Sequence, residues 1–180
     1  MAAYGEPQRA YHTAAHIAEV LAWFDRVADD VGWQRPAEVY VAIVFHDAIY
    51  VPGAKDNEAR SAAWARRATL PVDADHVAHL IELTARHGHL APGDVDPEAA
   101  LFLDCDMAIL GAAPEAFDAY DAAIAREYAH VPRDAYAAGR RAFLASVAAA
   151  PRIFLSDYVH ARLDAAARAN VARALTTAAS

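Results

Sequence analysis

Cysteine and lysine are almost absent from this chain, and each scarcity excludes a kind of site. Cys105 is the only cysteine, so no internal disulfide forms and a metal cage of thiolates is excluded. Lys55 is the only lysine, so arginine must supply most cationic contacts to an anionic ligand. The formal net charge of -8 includes no basic cluster, which argues against long DNA or RNA as a partner.

Long apolar runs are missing as well. The opening MAAYGEPQRA lacks the apolar stretch of a signal peptide, and no later segment approaches the roughly 18 unbroken apolar residues of a membrane span. We therefore expect a cytoplasmic protein with no membrane partner. With 57% hydrophobic and 22% charged residues, the chain can bury one full core. A length of 180 residues is too short for two ordinary domains, so we expect a single domain over 1–180.

Helical periodicity dominates what is present. Apolar residues recur at spacings of three and four with alanine between them, and no segment reads as a convincing strand. The sequence therefore predicts an all-α, single-domain bundle of roughly eight helices. Capping aspartates and prolines set the expected starts. The predicted ranges are about 12–30, 36–50, 56–70, 73–87 and 96–111, with three more helices opening at Pro114, Pro132 and Ser156.

An imidazole and a carboxylate stand side by side in the apolar run VAIVFHDAIY, residues 41–50. His46 and Asp47 would cost free energy to bury there unless they pair with each other, with another group or with an ion. An isolated His-Asp pair also arises by chance. The pair alone is therefore a weak sign of a metal site.

Two other segments offer matching ligands. His12 and His16 are four residues apart in YHTAAHIAEV, so their rings would project from nearly one face of a helix. Asp104 and Asp106 lie in FLDCDMAILG among apolar neighbours, although helix-face charges in solvent are an alternative. Two histidines and two carboxylates from three helices match the nitrogen and oxygen ligands of a divalent cation. Spacing alone leaves open which histidine and which aspartate take part.

This order of residues resembles the HD superfamily of metal-dependent phosphohydrolases, named after such a His-Asp pair on a helical scaffold. Within it, the chain resembles a small family of predicted metal-dependent HD phosphohydrolases over about residues 4–175. The resemblance is more specific for the family than for one reaction. Its matching stretches are RAYHTAAHIAEVL (9–21), FHDAIY (45–50), DNEARSA (56–62), TARH (84–87), FLDCDMAILGA (102–112), IAREYAHV (124–131) and GRRAFL (139–144).

The resemblance implies an HD-domain-like bundle and a particular ligand set. The first histidine of the superfamily precedes an aliphatic helix, which favours His16 over His12, and the last aspartate precedes a short aliphatic run with glycine, which favours Asp106 over Asp104. Asp104 would then orient a ligand. The implied metal ligands are His16, His46, Asp47 and Asp106, holding manganese, iron, nickel, zinc or magnesium.

The resemblance also implies catalytic roles, with one departure. Many superfamily members have an acidic residue just after the pair, but Ala48, Ile49 and Tyr50 follow here. Asp47 would accept a hydrogen bond from the attacking water, and Glu58 is the candidate water-orienting base, although a helix-capping segment explains it nearly as well. His87 would be a general acid or a ligand of a second metal.

The expected substrate is a small phosphorylated molecule, a nucleotide above all. Arg9 and Arg126 are the candidate phosphate contacts, because arginine binds phosphate in a bidentate manner. Tyr11 could stack on a base or donate a hydrogen bond to phosphate. Surface pairing of the arginines and packing of the tyrosine are the alternatives.

Two other functions remain open at this stage. HD-like proteins with more histidines can hold two irons and oxidise a substrate with oxygen, and His87 with His76 or His79 could complete that set. The chain could also be a nucleotide-binding module without turnover, which the missing acid after the pair would favour. The apolar composition and alanine-rich last helices would permit a homodimer.

Overall fold

Eight α-helices and two short 3-10 helices make up the ordered secondary structure of residues 2–177, the part of the chain that this computed structural model describes. No strand occurs in that range. The predicted all-α fold with about eight helices is therefore confirmed. The α-helices are α1 (Ala14–Asp30), α2 (Pro36–Phe45), α3 (Asn57–Arg67), α4 (Ala74–Thr84), α5 (Pro97–Met107), α6 (Pro114–Glu127), α7 (Arg133–Ala149) and α8 (Asp157–Thr177), and the 3-10 helices are Ala2–Gly5 and Ala108–Gly111.

Side-chain caps and prolines start several helices where the sequence predicts. The Asp73 carboxylate accepts the first backbone N–H groups of α4, and Asp96 does the same for α5. α1 is capped by Thr13 and begins at Ala14. His12 therefore precedes the helix, and the prediction that His12 and His16 share one helical face is wrong.

Four helices end earlier than predicted, among them α3, which ends at Arg67 rather than near Leu70. α2 ends at Phe45 rather than near Tyr50, because the carbonyls of Asp47 and Ala48 turn outward to the buried guanidinium of Arg9. α4 ends at Thr84, and α5 gives way after Met107 to the 3-10 helix.

Gly111 closes this 3-10 helix where it lies directly against α8. A Cβ atom at Gly111 would lie 2.7 Å from the Cβ of Leu163. This contact requires glycine and fixes the distance between the end of α5 and α8.

The buried side chains form two hydrophobic clusters. The first contains residues from the five helices α1, α2, α3, α4 and α5. The second contains residues from the 3-10 helix Ala108–Gly111 and from α6, α7 and α8. Tyr158 packs against both clusters. α5 is buried along most of its length, with Phe102 and Leu103 almost fully enclosed. Its position brings its last turn between α1 and the end of α2.

Over the described part of the chain, no helix is both long enough and apolar enough to cross a bilayer.

Candidate metal centre

Four side chains from three parts of the fold converge on one point. The Nε2 atoms of His16 and His46 lie 3.3 Å apart. An Oδ1 atom of Asp106 lies 3.1 Å from Nε2 of His16 and 3.3 Å from that of His46. An Oδ2 atom of Asp47 lies 3.0 Å from Nε2 of His46 and 3.5 Å from that of His16. Both rings are 2% exposed and both carboxylates 15% exposed, so this cluster is buried but open at one side.

The local backbone structure positions the ligand atoms of the histidines and of Asp106. His46 follows the last residue of α2, and its Nδ1 lies 2.8 Å from the carbonyl of Ile43. A carbonyl only accepts, so Nδ1 carries the proton and donates it, which turns the Nε2 atom toward the cluster. His16 stands in the first turn of α1, and Asp106 in the last turn of α5.

The separations of these donor atoms fit a shared cation. Nitrogen and oxygen ligands about 2.1 Å from one ion lie about 3.0 to 3.4 Å from each other. The distances that involve an imidazole nitrogen, 3.0–3.5 Å, match that spacing. The donor atoms of His16, His46 and Asp47 all lie within 4.8 Å of one another, and Asp106 adjoins this group of three through the two imidazoles. Nδ1 of His16 is buried and has no hydrogen-bond partner among residues 2–177. No hydrogen bond from this nitrogen to the described residues therefore compensates for burying the ring.

Electrostatics keep the two carboxylates ionised. Burial alone would raise the pKa of Asp47 and of Asp106, but the neighbouring charge of His46 holds each pKa well below its usual range. Burial likewise lowers the pKa of His16, yet hydrogen bonds to Asp106 and Asp47 overcome it and raise that pKa to about 9. The same carboxylates raise the pKa of His46. Protons therefore compete with a cation for the imidazoles.

Asp104 faces away from the cluster. Its carboxylate accepts hydrogen bonds from the backbone N–H groups of Leu155 and Ser156 and from the Ser156 hydroxyl. Burial raises its pKa to about 6 in spite of these bonds. Asp104 thus holds the start of α8, and the expectation that it orients a metal ligand finds no contact in the described residues.

His12 lies beside the cluster, but a different group holds it. Its Nδ1 lies 2.7 Å from Oε2 of Glu127, whose side chain is fully buried. The other oxygen of Glu127 accepts the backbone N–H groups of Ala10, Tyr11 and His12. Burial would raise the pKa of Glu127, but the hydrogen bond and charge of His12 outweigh it and lower that pKa to about 2. His16, rather than His12, therefore supplies the ring that meets His46.

His87 contacts the cluster from its other side. Its Nδ1 is 3.4 Å from Oδ2 of Asp106, and its Nε2 is buried with no partner in the described chain. Burial lowers the pKa of His87. The adjoining cavity, which also borders Asp104 and Met107, holds about 40 Å³. That volume has room for a water molecule but not for the leaving group of an organic phosphate.

Glu58 lies near this side without entering the cluster. It is half-buried in the first turn of α3, and its charge raises the pKa of His87. Across residues 2–177 its carboxylate makes no hydrogen bond or ion pair. Glu58 therefore does not contact the proposed ligands, and no contact in the described residues indicates another role for it.

Arg9, a candidate phosphate contact, is already engaged. Its buried guanidinium donates to Glu6 and to the carbonyls of His12, Asp47 and Ala48. Four of its five N–H donors are thereby used. Arg9 ties the segment before α1 to the end of α2.

Arg126 and Tyr11 lie in the same groove. Both line a groove of about 310 Å³ that reaches His16. Arg126 is exposed, and its side chain has no hydrogen bond or ion pair within the part of the chain described. The Tyr11 ring packs 4.7 Å from the His16 ring, measured between centroids.

The histidines considered for a second iron do not reach the centre. His79 is exposed on α4. His76 lies 3.8 Å from Glu98, at the other end of α5 from Asp106.

Sequence reasoning missed Glu127 and the hydroxyl of Tyr50 that donates to it at 2.8 Å. One signal was available. Glu127 is an acid in the last turn of a helix, where the macrodipole disfavours negative charge, so it needs partners elsewhere in the fold. Both residues also lie in stretches that carry the resemblance.

Comparison of the chain with protein-family models, with curated proteins and with solved structures finds no match to any of them. The resemblance to the HD superfamily therefore stays a prediction from the sequence motifs.

Proposed function

We propose that this protein is a metal-dependent phosphohydrolase that cleaves a phosphate ester or anhydride of a small molecule, with a nucleotide as the favoured substrate. One observation carries the proposal. The two imidazole nitrogens of His16 and His46 lie 3.3 Å apart, and each lies 3.0–3.5 Å from an oxygen of Asp47 and an oxygen of Asp106, in a largely buried cluster built from α1, the end of α2 and α5. Such a cluster is costly to bury, and a divalent cation would offset that cost.

The proposed ligands are His16, His46, Asp47 and Asp106. An equal mixture of imidazole and carboxylate suits manganese, iron, nickel or zinc, and magnesium with more difficulty, since magnesium prefers oxygen. Bound there, the cation would lower the pKa of a water molecule and polarise a phosphoryl oxygen.

The side chains would divide the remaining work. Asp47, partly exposed at the rim of the cluster, would accept a hydrogen bond from the attacking water. Arg126 and Tyr11 would hold the phosphate through the groove that reaches His16. His87 would hold Asp106 in place by their contact, and Glu58 stays a candidate for orienting water through its position near His87.

Elemental analysis of freshly purified protein, combined with an anaerobic phosphohydrolase panel of nucleotides and simple phosphate esters, tests the proposal. We expect close to one divalent ion per chain and release of phosphate or pyrophosphate. His46→Ala and Asp47→Ala should lose metal and turnover together, whereas the exposed His89→Gln should lose neither.

Three outcomes would overturn the proposal. Full turnover in His46→Ala or Asp47→Ala would remove the metal mechanism. Two irons per chain with an oxidised product in air would indicate an oxygenase. Thermal stabilisation by nucleotides with no product would indicate a binding module.

A further inference from the structure

The His12 ring is oriented by a buried carboxylate, as is common for histidines that transfer protons. Its Nδ1 bonds to Glu127, an ionised carboxylate that Tyr50 and three backbone N–H groups fix in place. The same ring packs against the Tyr50 ring at 4.1 Å between centroids. Its Nε2 has no hydrogen-bond partner among residues 2–177, and the side chain is 18% exposed. A carboxylate that orients one ring nitrogen while the other faces a reaction site is the arrangement of catalytic histidines.

His12 also lies next to the metal centre. One nitrogen of Arg9 donates to the carbonyl of His12 at 3.0 Å and to that of Asp47 at 2.8 Å, so the two residues are side by side. The charge of His12 contributes to the lowered pKa of Asp47. The His12 and His16 rings are 5.8 Å apart between centroids. His12 itself is not in the ligand cluster.

Beyond His12 lies a cavity that suits a bulky leaving group. It holds about 480 Å³, and Arg140 stands at its wall. The rings that line it are those of His12, Tyr50, Tyr128, Tyr136 and Phe143. The cavity beside His87 is about 40 Å³. Of these two cavities, the one beside His12 has room for an organic group, and the one beside His87 does not.

We propose that His12 is a catalytic residue that donates the proton to the leaving group, and that the aromatic-walled cavity binds that group. This inference rests on the proposed hydrolase function. In the step, a water oxygen bonds to phosphorus as the bond from phosphorus to the leaving oxygen breaks, and one proton of that water is released to solvent. The proton on Nε2 of His12 passes to that leaving oxygen, giving an alcohol and phosphate. The neutral ring regains its proton from solvent through the cavity, while its Nδ1–H stays on Glu127.

The test compares two esters of similar shape, phenyl phosphate and 4-nitrophenyl phosphate. Nitrophenolate leaves readily without a proton, whereas phenolate needs one. We expect His12→Gln to lower kcat on phenyl phosphate by about 100-fold or more, in the usual range of general acid catalysis, and on 4-nitrophenyl phosphate by less than about 10-fold. Added imidazole should restore part of the phenyl phosphate activity of His12→Ala. His89→Gln is the matched control.

Two readouts do not depend on activity. The metal content of His12→Gln should equal that of the native chain, because the four ligands are unchanged. A strongly downfield proton resonance from Nδ1–H of His12 should be present in the native protein and lost in Glu127→Gln. Thermal denaturation verifies that each variant is folded.

The outcomes separate this inference from the proposed function. If the native chain hydrolyses neither these esters nor the nucleotides, both proposals fall. If it does hydrolyse them, and His12→Gln slows both esters equally or neither, the assignment of His12 alone is overturned. Loss of metal in folded His12→Gln would likewise overturn it, because His12 would then support the ligands instead of the leaving group.

Discussion

His16 and His46 bring their Nε2 atoms within 3.3 Å of each other, and each atom also lies beside oxygens of Asp47 and Asp106. The two residues are 30 positions apart in the sequence. The other ring nitrogen of His46 donates to the carbonyl of Ile43, which leaves its Nε2 directed at the cluster. A cation bound by all four side chains accounts for the arrangement most simply.

Asp106 and Asp104 should give opposite results when each is replaced by alanine. Asp106→Ala removes a ligand, so metal content should fall. Asp104→Ala removes the acceptor of three hydrogen bonds at the start of α8, so the free energy of unfolding should fall by about 2 kcal/mol while metal content stays constant. Chemical denaturation and elemental analysis measure both effects. Metal loss in a folded Asp104→Ala chain would contradict the assignment.

Metal affinity should rise with pH through neutrality. The pKa of His16 is raised to about 9 by its carboxylate neighbours, which outweigh burial, and the pKa of His46 is raised as well. Below these pKa values the rings carry protons that a cation must displace, so lowering the pH weakens binding. Each displaced proton should change the apparent affinity about tenfold per pH unit. Isothermal titration calorimetry in buffers of different ionisation enthalpy counts the released protons. Binding that is independent of pH from 6 to 8 would exclude imidazole ligation.

Glu127 should make the fold sensitive to acid. Its pKa is lowered from 4.5 to about 2, since hydrogen bonds and the charge of His12 exceed the effect of burial. A carboxyl group with a lowered pKa in the folded state contributes stability that is complete above pH 4.5 and is lost as the pH falls toward 2. The shift corresponds to about 3 kcal/mol.

Comparison with Glu127→Gln isolates this contribution. The native chain should lose about 3 kcal/mol more than Glu127→Gln between pH 5 and pH 2, as measured by urea denaturation. Equal acid sensitivity of the two chains would contradict the role of Glu127. The comparison is necessary because Asp47 and Asp106 titrate in acid too.

Sequence periodicity and caps predicted the helices, because a helix is specified locally by its apolar stripe and its first turn. They did not predict where α2 ends, since that end depends on Arg9, 38 residues before Asp47 in the chain. The same limit applies to Glu127, whose partner His12 is 115 residues away. Polar residues in apolar segments indicated the candidate ligands, but the choice of His16 over His12 and of Asp106 over Asp104 came from the resemblance to the HD superfamily. Long-range polar contacts carry no comparable local signal.

The two candidate phosphate arginines should behave differently on substitution. Arg126 is exposed in the groove that reaches His16, so Arg126→Ala should raise KM by about tenfold or more and leave the melting temperature unchanged.

Arg9 is buried and donates to the carbonyls of His12, Asp47 and Ala48, so Arg9→Lys should lower stability by about 2 kcal/mol or more. Because Asp47 would shift with its carbonyl, metal affinity and kcat should fall as well. Steady-state kinetics, metal titration and thermal denaturation separate the two patterns. A folded Arg9→Lys chain of native stability with only a raised KM would show instead that Arg9 binds the substrate, since a lysine cannot reproduce a guanidinium that holds three carbonyls at once.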